Sequence, residues 1–220
     1  MGNRTVLSIA SGLPRPRWRG RLHTWAFWAT IPSVIILLTV VDQPLARIGV
    51  VVFGASKLTL YGVSASYHRL AQSDRAQRIM RRLDHSMIFV LIAGTYTPVC
   101  LVVVPHPWRF PMLAVIWTMA AVGVGLKTLG RSGLMKWSNV LYITLGWLGV
   151  LALPVMIPNL STAALVFMIV GGVLYTVGAF MFYRKSPDPS PLVFGYHEVW
   201  HAFTVMAGIS HFAMVAMIVR

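Results

Sequence analysis

Eight polar side chains stand where apolar ones are the rule: Lys57, Ser64, His68, Asp84, His197, Glu198, His201 and His211 each interrupt or open a long apolar run. An ionisable group in hydrocarbon is costly and marks a site by default. Two spacings give that site a chemistry. Ser64 and His68 are four residues apart, as are His197 and His201, and residues four apart stack on one face of a helix. Two neutral imidazoles so spaced can hold one metal ion. A third from another helix completes a three-histidine set with a fourth position open for water, the arrangement of catalytic zinc. Asp84 is then either a further ligand or the group that orients water and takes its proton, and Ser64 a supporting donor or an oxyanion stabiliser. A lone intramembrane histidine or serine more often serves helix packing. Three histidines and an aspartate converging at one depth make a metal site, with Zn2+ as cofactor, the expectation.

The elements that must position these residues are membrane helices. The 220-residue chain is 57% apolar and 11% charged, with a mean hydropathy of +0.71, whereas soluble domains are about 45–50% apolar and 25% charged. A secreted enzyme or a cytosolic binder is thereby excluded. Seven runs reach the roughly 20 residues that a bilayer core requires: 22–41, 46–68, 84–104, 111–128, 137–157, 161–183 and 194–219. They are too long for barrel strands, so they must satisfy their backbones as helices. The expectation is an all-α integral membrane protein: a single seven-helix bundle over 22–220, preceded by a basic segment, 1–21. That segment has neither the apolar core of a signal peptide nor, with Val6 where Ser or Thr is needed, a myristoylation signal. The single cysteine, Cys100, excludes an intrachain disulfide.

Charge sets the direction. The net charge is +14, from 19 Lys+Arg against 5 Asp+Glu. Assigning the loops to alternate sides puts 15 of the 19 on one: Arg4, Arg15, Arg17, Arg19 and Arg21; Arg69, Arg75, Arg78, Arg81 and Arg82; Lys127, Arg131 and Lys136; Arg184 and Lys185. Basic loops stay inside, so the N-terminus is expected in the cytoplasm and the C-terminus outside, in the cell membrane. Anionic lipid headgroups, rather than nucleic acid, are the partners this face implies. With that direction, Ser64, His68, Asp84, His197 and His201 all fall near the inner leaflet.

The remaining candidates sort by position. His85 points about 100° away from Asp84 on a helix and reads as a headgroup-level residue, while His23 and His106 sit at span ends and read as interfacial. His211 lies about 15 Å beyond His201 along its helix and reads as a packing residue. Lys57 shares a face with Ser64 and His68 and either snorkels outward or faces a wet cavity. His197-Glu198-Val199-Trp200-His201 also fits the H-E-x-x-H pattern of metalloproteases, but the third histidine and the aspartate come from other spans, so Glu198 is expected to pair with a nearby arginine.

Three blocks carry a resemblance. Ser64-Ala-Ser-Tyr-His68-Arg69, Arg82-Leu83-Asp84-His85-Ser86-Met87-Ile88-Phe89 leading into Ala93-Gly94-Thr95-Tyr96-Thr97-Pro98, and Gly195-Tyr196-His197-Glu198-Val199-Trp200-His201, in that order, resemble the hemolysin III family, grouped with the progestin and adipoQ receptors. Arg19-Gly20 with His23, and His211-Phe212, extend the likeness over nearly the whole chain. The resemblance implies seven helices, an inner N-terminus and zinc held by His68, His197 and His201, with Asp84 reaching it through water. The wider superfamily includes alkaline ceramidases, which implies hydrolysis of lipid amides by a Ser, Asp and three-His set.

The first functional expectation is therefore a zinc-dependent lipid amide hydrolase acting from the inner leaflet, with Asp84 and Ser64 catalytic and His68, His197, His201 and Asp84 around the metal. The alternatives are a membrane sensor or regulator with a structural zinc site, and a lytic or channel-forming protein.

Overall fold

The computed structural model describes residues 15–130 and 132–220. Arg4, Val6 and Arg131, used in the charge and leader arguments, lie outside the described residues, as does the side chain of Lys136. Seven helices make up most of the chain: α1 (Arg21–Thr39), α2 (Pro44–Leu70), α3 (Asp74–Val102), α4 (His106–Leu129), α5 (Ser132–Met156), α6 (Thr162–Arg184) and α7 (Tyr196–Ile218). One 3-10 turn, Ile157–Asn159, follows α5, and there is no named strand among the described residues. All seven are long and apolar enough to cross a membrane.

Local chemistry fixes the helix ends, and three helices, α3, α4 and α5, start five or more residues before their apolar runs. α3 starts ten residues before its run, at Asp74. There Ser73 Oγ accepts the N–H of Ala76 at 3.2 Å, and Asp74 sits in the first turn, where a negative charge is favourable. Asp84 therefore lies in the third turn of α3 rather than at its tip. α4 starts at His106 with Pro107 in its first turn, a position where proline forfeits no hydrogen bond.

α2, α3 and α7 are the innermost helices, and α1, α4, α5 and α6 present more of their length outward. α2 packs on α1 and α3, α3 on α4, α4 on α5, and α6 on α7, while α7 closes against α1 and α3. The α2–α3 seam is tight because small residues line it. A Cβ on Gly49 would lie 2.8 Å from Cα of Pro98, and Gly94 abuts Ser56 in the same seam. In lipid such close approach, rather than hydrophobic drive, holds helices together. Phe53, Phe89, Cys100, Ile116, Met214 and Val215 form the centre of the packed core.

Residues 15–20 run as a strap across one end of the bundle. The N–H groups of Arg17 and Trp18 donate to the carbonyls of Leu192 (3.0 Å) and Val193 (3.1 Å) in the α6–α7 connection. The Arg15 guanidinium donates to the carbonyls of His68 (3.0 Å) and Ala71 at the end of α2, satisfying groups that a helix terminus leaves free. At Gly20 the backbone turns into α1 with φ 79°, and a Cβ there would lie 2.8 Å from Cβ of His68. Only glycine both adopts that conformation without penalty and lets α1 begin directly against α2.

Candidate metal centre

The strap end of the bundle is where the last turns of α2, the third turn of α3 and the first turns of α7 meet. The four-residue spacings put Ser64 and His68 on the inner face of α2, and His197 and His201 on the inner face of α7. One ring nitrogen from each of His68, His197 and His201 lies within 4.8 Å of the others. His68 and His201 are buried and His197 partly so. The rings are steeply inclined, at 82° between His68 and His197, 75° between His197 and His201, and 57° between His68 and His201.

The donor set fits a divalent ion. Nε2 of His197 is 3.2 Å from Nε2 of His68. That spacing suits an N–H···N hydrogen bond, and it also matches the roughly 3.3 Å between two nitrogens held at 2.0–2.1 Å on a tetrahedral ion. The third imidazole decides between them, since a two-ring hydrogen bond gives His201 nothing to do. Nδ1 of His201 is buried and has no hydrogen-bonding partner among the described residues, which is costly for a polar atom unless a ligand serves it. His68 and His201 come from helices 133 residues apart in sequence, so only the fold brings them together.

Beside the triangle lies a small cavity of about 280 Å³ including its opening. Ser64, Asp84, His201, Thr204 and His23 supply its polar wall, and Leu60, Ile88 and Trp200 its apolar wall. The Ser64 hydroxyl interacts with the Asp84 carboxyl. Asp84 is not among the converging ligand atoms. His201 thus belongs both to the imidazole triangle and to the cavity that holds the serine and the aspartate.

Glu198 lies in the first turn of α7, three residues before His201, and its carboxylate is tied to the strap. Its carboxylate is fully buried and accepts from Arg19 Nε and from the backbone N–H of Gly195, the latter at 2.9 Å. It caps the helix and anchors the strap, as the expected arginine pairing requires, and it is not among the residues lining the cavity. The H-E-x-x-H match is thereby explained without a protease base. His85 lies on α3 with Nδ1 2.7 Å from the Arg81 carbonyl, to which a protonated Nδ1 donates. His211 is 3.3 Å from the Met168 carbonyl through Nε2, joining α7 to α6 as a packing residue does. His106 is exposed at the start of α4.

Two residues stand elsewhere than their sequence positions indicated. Lys57 does not snorkel. It is 5% exposed, its Nζ donates to the Gly208 carbonyl at 3.0 Å, and the rings of Phe53, Tyr61 and Phe212 lie 5.2–5.9 Å away. Rings from α2 and α7 thus surround the ammonium between the two helices. His23 is not interfacial but 3% exposed, with its ring stacked on that of His201 at 3.9 Å and 12°. The misplacement has a physical cause: a span-end residue faces headgroups only if its helix starts at the surface, and the strap buries the start of α1. Thr204 was also missed, although it lies three residues after His201 and so on the same helical face.

Comparisons with known proteins find related sequences. A family model described as Haemolysin-III related matches residues 12–212. Hemolysin-3 of Bacillus cereus is 33% identical over 180 residues, covering 80% of this chain and 78% of that protein. A hemolysin-3 homolog of Bacillus subtilis (strain 168) is 32% identical over 165 residues, covering 74% of each.

Proposed function

The chain belongs to the haemolysin-III-related family, and from that premise we propose that it is a zinc-dependent hydrolase of acyl amides in membrane lipids. Membership and seven apolar helices make it a multi-pass membrane protein. The observation that supports the hydrolase reading is the double membership of His201, which puts a metal-ligand set against a cavity walled by a carboxyl and a hydroxyl. A purely structural ion has no use for such a cavity. The proposal takes the strap end as cytoplasmic, because the basic loops gather there, and anionic headgroups as its surroundings.

His68, His197 and His201 would hold the ion. Three neutral imidazoles suit zinc, which when bound supplies Lewis acidity that polarises a carbonyl and makes water a better nucleophile. The rest falls to the chain's own groups. Asp84 takes the proton that leaves the attacking water as its oxygen bonds to the acyl carbon. Ser64 Oγ donates to the carbonyl oxygen as negative charge develops on it. The C–N bond then breaks, and Asp84 returns its proton to the departing amine, leaving a fatty acid and an amine. Leu60, Ile88 and Trp200 seat apolar substrate and keep bulk water out.

The test pairs metal analysis with turnover. His201→Ala should lose the metal and all hydrolysis. Asp84→Asn should keep the metal and lose at least about 100-fold in kcat, the usual worth of a general base. Metal-replete wild type that cleaves no amide or ester across a broad lipid panel overturns the reading. The relatives' name, hemolysin-3, favours a second reading, membrane lysis. It requires liposome leakage that persists in His201→Ala.

A further inference from the structure

Four arginines stand in the polar first turns of α3: Arg75, Arg78, Arg81 and Arg82. Three are exposed, and Arg81 alone is half-buried. Helix geometry gives the reason. At about 100° per residue, Arg81 falls roughly 60° from Asp84 and roughly 20° from Ile88, two residues that line the cavity, whereas Arg75, Arg78 and Arg82 fall roughly 120° or more from Asp84. Arg81 therefore stands on the cavity side of α3, about one turn nearer the helix start than Asp84, at the strap-side edge of the cavity.

Positive charge gathers there with little acid to balance it. Arg15, Arg19 and Arg81 all lie close enough to Tyr67, near the end of α2, to act on it electrostatically, and Arg81 and Lys127 of α4 act on each other. Lys127 is only 6% exposed, so that repulsion is poorly screened. Arg19 is neutralised by Glu198. Arg15 uses its donors on the carbonyls of His68 and Ala71 but keeps its charge, and Arg81 is in no ion pair among the described residues. Like charges so gathered repel one another, and an anion among them reverses the sign of the interaction. A phosphate group fits best, because its oxygens match the fork of a guanidinium. We propose that Arg81, with Lys127 and Arg15, forms a phosphate-binding site at the edge of the cavity. Its phosphate comes either from a lipid headgroup or from solution. The site is separate from the imidazole triangle and involves no catalytic step, so binding alone tests it, and it stands or falls independently of the hydrolase reading.

The experiment measures equilibrium binding to the full chain, purified in a non-ionic detergent and phosphate-free buffer. Three probes are compared: a short-chain phosphatidic acid, the diacylglycerol with the same chains and no phosphate, and inorganic phosphate. Wild type should bind phosphatidic acid more tightly than the diacylglycerol. Arg81→Gln should weaken that binding by about tenfold or more, the usual worth of a charge-assisted hydrogen bond. Arg81→Lys, which keeps the charge without the fork, should fall between the two, and it carries the test if Arg81→Gln does not fold. Arg78→Gln removes the same charge from the same helix on a face turned away from the cavity, and should change the affinity by no more than about twofold. Phosphatidic acid binding that inorganic phosphate does not match supports the site and assigns it to a lipid. Inorganic phosphate binding with the same dependence on Arg81 supports the site and assigns it to phosphate from solution. Equal losses in Arg78→Gln and Arg81→Gln would mean only the diffuse attraction of a basic face and would overturn the proposal. So would an unchanged affinity in Arg81→Gln, or no preference of wild type for a phosphate-bearing probe.

Discussion

Asp84 and Glu198 are both acids close to the same histidines, and their surroundings give them different work. Glu198 is committed: Arg19 and the Gly195 amide occupy its carboxylate. Asp84 interacts with the Ser64 hydroxyl and lies 3.8 Å from Nδ1 of His85, and it faces the cavity. If Glu198 were the base of a metalloprotease, Glu198→Gln would abolish catalysis. The structure predicts instead that purified Glu198→Gln keeps its metal and its turnover and becomes less stable by about 1–3 kcal/mol, the usual effect of weakening a buried charge-assisted hydrogen bond. Thermal unfolding alongside a rate measurement reads both. The arginine pairing was legible as a pattern, because an acid in the first turn of a helix beside basic loops finds a cation. Which arginine was not legible, since Arg19 lies 179 residues away.

Among the elements, the start of α1 matters most to the site. The strap is tied to the α6–α7 connection by two backbone hydrogen bonds and to the end of α2 by Arg15, and Gly20 lets it turn against His68. A side chain at Gly20 meets two penalties: a left-handed backbone that costs roughly 1–2 kcal/mol for an ordinary residue, and a collision with the His68 and Arg69 side chains. Gly20→Val should therefore reduce metal occupancy as well as stability. Full occupancy in a metal assay on the folded variant would refute this link between strap and site. The apolar runs located all seven helices but not the true beginnings of α3, α4 and α5; α3 begins through a serine cap and α4 on a tolerated proline, which hydropathy does not register. Hydropathy detects the part of a helix that meets lipid, and capping decides where it begins.

For the whole molecule, the distribution of basic loops predicts an N-terminus in the cytoplasm and a C-terminus outside. Alkaline phosphatase, active only after export, should be active when fused after Arg220 and inactive when fused in the Lys127–Lys136 connection. The reverse pattern would put the metal centre at the outer surface and remove the inner-leaflet substrate from the mechanism. Seven spans, the helix-face pairs Ser64/His68 and His197/His201, and the family resemblance were all determined by sequence alone. Each depends on composition or on spacings within one helix, and the bilayer enforces helices wherever apolar runs are long enough. The tertiary structure decided the rest: that three particular imidazoles share one point, that His23 joins them from α1, and that Lys57 is sheathed by aromatic rings. Those outcomes depend on how each helix is rotated about its axis and how closely its neighbours approach, and residues more than 100 positions apart in the chain set both.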